Sequence, residues 1–246
     1  MKKRRIFSKI LFLIALFVFC FAVFKIVAGQ LEYKEGRDEY EHIREIAQKE
    51  PEDPADPGSG IDWNALRAIN PDLIGWIRFK EPAAINYPIV QGKDNNVYLN
   101  KSFGENFIKA GTIFMNYANK PDFSDRNTII YGHNMNDGSM FASLKKYQDK
   151  SFWESFPDFV IYTPDDVAHT YKIFAAGTYL ATSDPAGQYQ FEDDTDFMSF
   201  IEKVQTNQGY DTRVEVTSSD HIVTLYTCTN VRASDRWLVF GVEIRQ

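Results

Sequence analysis

Every residue in 10–24 is apolar, Cys20 included, and with its flanks the run covers 6–28. That is about the ~20 residues a helix needs to cross a bilayer. Beyond it the spacing of apolar positions changes. In the charged stretch 31–50, Tyr40, Ile43 and Ala47 recur on one side, which predicts a juxtamembrane helix. Residues 51–60 hold three prolines and two glycines and cannot continue that helix, so they read as a linker. Four parts are expected: a basic tail at 1–5, a membrane-spanning segment at 6–28, the helix and linker at 29–60, and a folded domain at 61–246.

In the last part, Asp62 can cap a short helix with Trp63, Leu66 and Ile69 on one side. After it, short runs rich in β-branched and aromatic residues recur at 73–79, 87–91, 111–116, 128–131, 159–163, 170–181, 213–217, 222–227 and 237–244. Short strands separated by turn residues predict a β-barrel or sandwich. Two helical stripes interrupt them, both read as core packing. One follows Ser139, with Met140, Phe141, Leu144 and Tyr147. The other starts at Asp194 or Thr195, carries Phe197, Phe200, Ile201 and Val204, and ends at Gly209. The fold class is mainly β with α additions.

Composition narrows the picture. The 246 residues are 44% hydrophobic and 25% charged, enough for one sizeable core with appendages. Residues 1–28 carry Lys2, Lys3, Arg4, Arg5, Lys9 and Lys25 and no acid; taking these six from the 27 basic residues leaves 21 against 34 acidic, a formal charge of −13. An acidic domain argues against nucleic acid as a partner. The basic cluster before the apolar run is expected to stay in the cytoplasm, giving a single-pass membrane protein with its domain outside the cell. A cleaved signal peptide is the rival reading. Lys25 interrupts the run near its end and no Ala-x-Ala site follows, which favours an uncleaved anchor.

The candidate chemistry lies near the C-terminus. Two strand-like runs, 222–227 and 237–242, enclose a mostly small and polar stretch, 229–235. Cys228 ends the first run and Arg236 opens the second. If the strands pair, a thiol faces a guanidinium that keeps its proton. The everyday reading is a small buried hydrophobe and a solvated charge. Cysteine usage shifts the balance: of the two cysteines, Cys20 lies in the apolar run, so Cys228 is a lone thiol in a non-reducing compartment. A purely structural residue could shed that oxidation liability.

A thiol with a pKa near ~8.5 needs a proton acceptor to become a nucleophile. His42 sits in the juxtamembrane stretch, and His169 has no special setting beside Pro164. His221 precedes Cys228 by seven residues in the same strand, ~23 Å away at ~3.3 Å per residue. His133 stands where the apolar run 128–131 and Gly132 give way to the polar stretch 134–138, a position that aims a side chain and leaves it accessible. A satisfied structural histidine is the alternative. No second His or Cys stands at ligand spacing to His133 or Cys228, so no metal site is expected.

These residues resemble the sortases, and within them class B. Thr224-Leu-Tyr-Thr-Cys228 is similar to the sortase pattern Thr-Leu-x-Thr-Cys, with Arg236 following. Tyr131-Gly-His133-Asn-Met, Gly138-Ser-Met-Phe141 and Leu144-Lys-Lys-Tyr147 look like the class B histidine segment, and Asn86-Tyr-Pro-Ile-Val-Gln-Gly-Lys-Asp-Asn95 through Tyr98-Leu99 resembles its early strands. The chain departs at Tyr226, where class B members often have Ser. The resemblance implies an eight-stranded barrel with N-terminal helices and a long helix before the last strands.

It also implies a membrane-tethered cysteine transpeptidase. Cys228 would attack the carbonyl of Thr in a C-terminal sorting signal of the Asn/Ser-Pro-x-Thr type on a secreted protein. A peptidoglycan precursor amine would then resolve the thioester. His133 would act as acid and base, and Arg236 would bind the substrate and the oxyanion. Asn95, Leu99, Tyr226 and Thr227 would line the groove. No cofactor is implied, nor the calcium dependence of some other sortases. The competing classes are a membrane-anchored cysteine peptidase that only hydrolyses, for which no Cys-Gly-Ser-Cys-Trp signature or evident orienting Asn or Asp is found, and a non-catalytic surface-binding module.

Overall fold

The structure is a computed structural model that describes residues 2–48, 60–80, 85–229 and 232–244. Residues 51–59, most of the expected linker, lie outside the described residues. Eight strands close into a barrel: β1 (Leu73–Phe79), β2 (Asn86–Val90), β3 (Ile113–Met115), β4 (Asn127–Tyr131), β5 (Asp158–Tyr162), β6 (Ala168–Leu180), β7 (Ile222–Cys228) and β8 (Asp235–Glu243). Their order around the barrel is β1, β2, β3, β4, β7, β8, β6, β5, with β5 returning to β1. The pairs β2/β3 and β4/β7 are parallel and the others antiparallel.

Alternation along each strand sorts the two faces. On β7, Val223 and Leu225 point into the main core with Trp237 and Val239 of β8. Ile222 of β7 with Leu238, Phe240 and Val242 of β8 points outward, where helix α5 (Asp194–Thr206) covers them with Phe197, Phe200, Ile201 and Val204. Asp193 caps α5, its side chain accepting from the Asp196 amide.

Three expectations from the sequence are corrected. The stretch 213–217 is not a strand. Arg213 has a φ of 55°, and Val214 and Val216 lie against the cluster under α5, so their apolar character reflects a packed strap rather than a ladder. No α-helix starts at Ser139. Met140 has a φ of 56° and bridges to Asn134, and a 3-10 helix follows over Ala142–Gln148. Phe141, Leu144 and Tyr147 are spaced by threes, the 3-10 repeat rather than the α repeat. A short helix α3 (Lys150–Ser155) comes next, and α4 (Asp184–Gly187) lies between β6 and α5. The run 111–116 yields only the three residues of β3, because Gly111 turns the chain with a φ of +56°.

The N-terminal segment is one helix, α1 (Lys2–Ala47). Its apolar half is exposed, and among the described residues it is the one helix long and apolar enough to cross a membrane. Its second half packs on the barrel. Tyr40, Ile43 and Ala47 belong to the main core, together with Trp63 and Leu66 of α2 (Trp63–Ile69). The Tyr40 hydroxyl donates to the carbonyl of Gly111 and, at 3.1 Å, to Thr112 Oγ1. Arg37 pairs with Asp137 at 2.8 Å.

Candidate functional site

The parallel pairing of β4 with β7 decides what meets what. Tyr131 pairs with Tyr226, so both chains leave the barrel side by side. The Gly132 amide donates to the Tyr226 carbonyl at 3.1 Å, and Asn134 Nδ2 donates to the Cys228 carbonyl at 2.8 Å. His133 lies between these two links, beside the end of β7 that carries Cys228. On the other flank, β8 runs antiparallel to β7 and places Arg236 directly opposite Cys228.

A cavity of about 260 Å³ opens at this end of the sheet, lined by Asn95, Leu99, Phe114, Tyr131, Gly132, His133, Tyr226, Thr227, Cys228 and Arg236. All seven residues singled out in the sequence line it. Cys228 is a free, half-buried thiol.

His133 is oriented by backbone. Its Nε2 lies 2.6 Å from the carbonyl oxygen of Leu99. A carbonyl only accepts, so Nε2 carries a proton in either charge state and Nδ1 is the atom left to gain or lose one. Leu99 thus stands where a triad has its carboxylate. Gly111 packs against this carbonyl: a Cβ there would sit 2.5 Å from the carbonyl oxygens of Tyr98 and Leu99.

Arg236 donates through Nη1 to the carbonyls of Ala233 at 2.7 Å and Asp235 at 3.0 Å, and its guanidinium carbon lies 5.8 Å from the centre of the Tyr226 ring. Tyr226 meets Tyr131 edge-on at 4.9 Å, and Tyr131 tilts against Phe114 at 5.1 Å, forming an apolar wall. Burial raises the pKa of both tyrosine hydroxyls, so they stay protonated at neutral pH. The Asn95 amide is fixed between Asn116 Oδ1, at 3.3 Å, and the Tyr117 amide, at 3.0 Å. Thr227 Oγ1 is buried without a hydrogen-bond partner.

The other histidines are placed apart. His42 is exposed on α1, and His221 bonds the Asp125 carbonyl at the far end of β7. His169, expected to have no special setting, has one: its Nδ1 lies 2.6 Å from Glu243 Oε1, and that hydrogen bond raises its pKa above the usual value. A larger cavity of about 690 Å³ lies between α1 and the barrel, but neither Cys nor His lines it. Among the described residues no cluster of three His, Cys, Asp or Glu could hold a metal ion.

Sequence reasoning missed Asn134 and the Leu99 carbonyl, along with Phe114 and Tyr131 of the cavity wall. Asn134 stands next to His133 in the sequence, and that adjacency was the one available signal. A backbone carbonyl leaves none.

Comparison with known proteins adds a consistent picture. Residues 81–244 match the family model described as the sortase domain. Over 230 residues, 93% of this chain and 92% of the relative, the chain is 36% identical to Sortase B of Listeria monocytogenes. It is 31% identical to Sortase B of Staphylococcus aureus over 232 residues, 93% and 91% of the two chains. Among solved structures, sortase B from B. anthracis aligns with a TM-score of 0.75 at 34% identity, covering 88% of this chain and 99% of that one. A Staphylococcus aureus sortase B–substrate complex aligns with a TM-score of 0.76 at 29% identity, covering 87% and 99%.

Proposed function

The chain belongs to the sortase family, class B, and on that premise we propose that it cleaves a C-terminal sorting signal of the Asn/Ser-Pro-x-Thr type after its Thr and joins the secreted protein to a peptidoglycan amine. The observation that carries this reading is one cavity holding a free thiol, a histidine with an open Nδ1 and an arginine opposite the thiol.

Cys228 Sγ attacks the Thr carbonyl as the thiolate. Its electron pair forms the C–S bond, and the carbonyl oxygen takes up the negative charge. Donors from Arg236 stabilise that oxyanion, and they act strongly because the site is partly shielded from water. His133, protonated on Nδ1, gives a proton to the leaving amine as the C–N bond breaks, leaving a thioester. The incoming amine attacks the thioester carbonyl, loses a proton to His133 and expels the Cys228 thiolate. Asn95, Leu99 and Thr227 line the groove that takes the substrate, and Tyr226 forms the wall beside Arg236. The exposed apolar half of α1 spans the membrane, with the basic tail inside and the barrel outside.

The test uses the full-length chain in lipid nanodiscs with Pro-x-Thr peptides, with and without an amine acceptor, read by mass spectrometry. A covalent adduct on Cys228 that becomes ligated product when amine is added supports the proposal. Hydrolysis alone, unaffected by amine, would make the protein a peptidase.

A further inference from the structure

Tyr226 precedes Cys228 by two positions, so strand alternation puts both side chains on one face of β7. Arg236 shares that face through its pairing with Cys228, and Leu238 stands opposite Tyr226. Tyr226 is therefore the diagonal neighbour of Arg236, a separation that an aromatic ring and a long side chain can bridge. They do bridge it. The guanidinium carbon lies 5.8 Å from the ring centre, inside the ~6 Å reach of a cation–π contact.

The rest of the guanidinium is held from the side of the loop. Nη1 donates to the Ala233 and Asp235 carbonyls, which fixes one edge of the plane. The Tyr226 ring lies against the guanidinium, and the ring is itself packed edge-on against Tyr131, which leans on Phe114. A flexible arginine beside a loop thus meets a chain of three aromatic rings that ends on β3.

We propose that Tyr226 is a positioning residue for Arg236: its ring is the shelf that, with two backbone carbonyls, aims the free edge of the guanidinium into the cavity beside Cys228. This role is distinct from a substrate contact by Tyr226 and rests on the reading that Arg236 serves the reaction. Restraint of the fork is what lets an arginine donate a planar pair of hydrogen bonds without losing rotamer freedom at each turnover.

The experiment is a double-mutant cycle on the full-length chain in nanodiscs. It compares Tyr226→Phe, Tyr226→Ser, Tyr226→Leu, Arg236→Ala and the combination of Tyr226→Ser with Arg236→Ala, reading kcat, KM and Tm. Tyr226→Phe keeps the ring face and is expected within about threefold of wild-type kcat. Tyr226→Ser and Tyr226→Leu remove the face and are expected to lose about three- to thirtyfold in kcat with KM and Tm little changed. In the Arg236→Ala background Tyr226→Ser should cost nothing further, because it acts through the missing group. Tyr226→Leu keeps apolar bulk, so it decides the matter if Tyr226→Ser folds poorly. Additive losses, or a loss confined to KM, would overturn the proposal in favour of direct substrate contact, as would turnover falling only as far as Tm does. Full turnover by Arg236→Ala alone would overturn it differently, by removing Arg236 from the reaction.

Discussion

The hydroxyl of Tyr40, on the helix that begins as an apolar run, donates to the carbonyl oxygen of Gly111. Gly111 lies against the carbonyl of Leu99, and that carbonyl orients His133. The N-terminal helix is therefore three contacts away from the candidate base. Tyr40→Phe leaves the buried Gly111 carbonyl without this donor and is expected to cost about 1–2 kcal/mol in urea unfolding. Deleting residues 1–60 also strips Tyr40, Ile43 and Ala47 from the core, and the shortened chain is expected to melt well below one beginning at Leu31. Equal melting temperatures would show the barrel to be independent of α1.

Gly111 allows a sharper test. Its φ of +56° disfavours a side chain, and an added Cβ would meet two backbone carbonyl oxygens at 2.5 Å. Gly111→Ala is expected to destabilise by about 1–3 kcal/mol from strain and displacement. Because the displaced carbonyl is the one that bonds His133, kcat should fall further than stability explains. A variant that melts lower yet turns over normally would break this link.

The two cysteines should behave oppositely. Cys228→Ala is expected to abolish peptide cleavage and ligation, while Cys20→Ala, exposed on the apolar half of α1, should change neither. Turnover surviving in Cys228→Ala would end the thioester mechanism.

For Arg236, charge and geometry separate. Lysine keeps the charge but loses the fork, and an oxyanion donor is worth ~2.7–4 kcal/mol, so Arg236→Lys should lower kcat about a hundredfold or more at nearly unchanged Tm. Near-normal kcat, or a fall in kcat matched by a fall in Tm, would assign Arg236 to structure.

His169 and Glu243 carry a pH signature away from the cavity. The histidine pKa is raised in the folded state, chiefly by the hydrogen bond to Glu243. The pair's contribution is thus fully present below ~6.5, the unfolded value, and is lost as pH rises through the higher folded value. Thermal unfolding across this range should show wild type losing stability relative to His169→Gln as pH increases, and parallel curves would mean that the pair contributes nothing. Both side chains are partly exposed, so the effect is expected to be small.

The parts of the site that were legible were those written in local pattern. Two apolar runs around a short polar stretch announced the pairing of Cys228 with Arg236, and His133 stood where a strand gave way to a polar loop. The hidden parts depended on neighbours distant in sequence. Asn134 reaches the Cys228 carbonyl 94 positions on because β4 and β7 are parallel, and His169 finds Glu243 74 positions away. The stripe of Tyr40, Ile43 and Ala47 announced a buried helix face without saying against what. Val214 and Val216 misled because a packed strap and an inner strand demand the same side chains.

The unbroken course of α1 from Lys2 to Ala47 makes it a mast rather than a tether. From Ala28 to Tyr40 it climbs ~18 Å at ~1.5 Å per residue, and no proline interrupts it. If the apolar half lies in the bilayer as proposed, the barrel rides at a set height and the candidate cavity sweeps a thin layer parallel to the membrane. Partners that are themselves membrane-bound would then be met by diffusion in two dimensions, and only if their reactive groups stand at the same level.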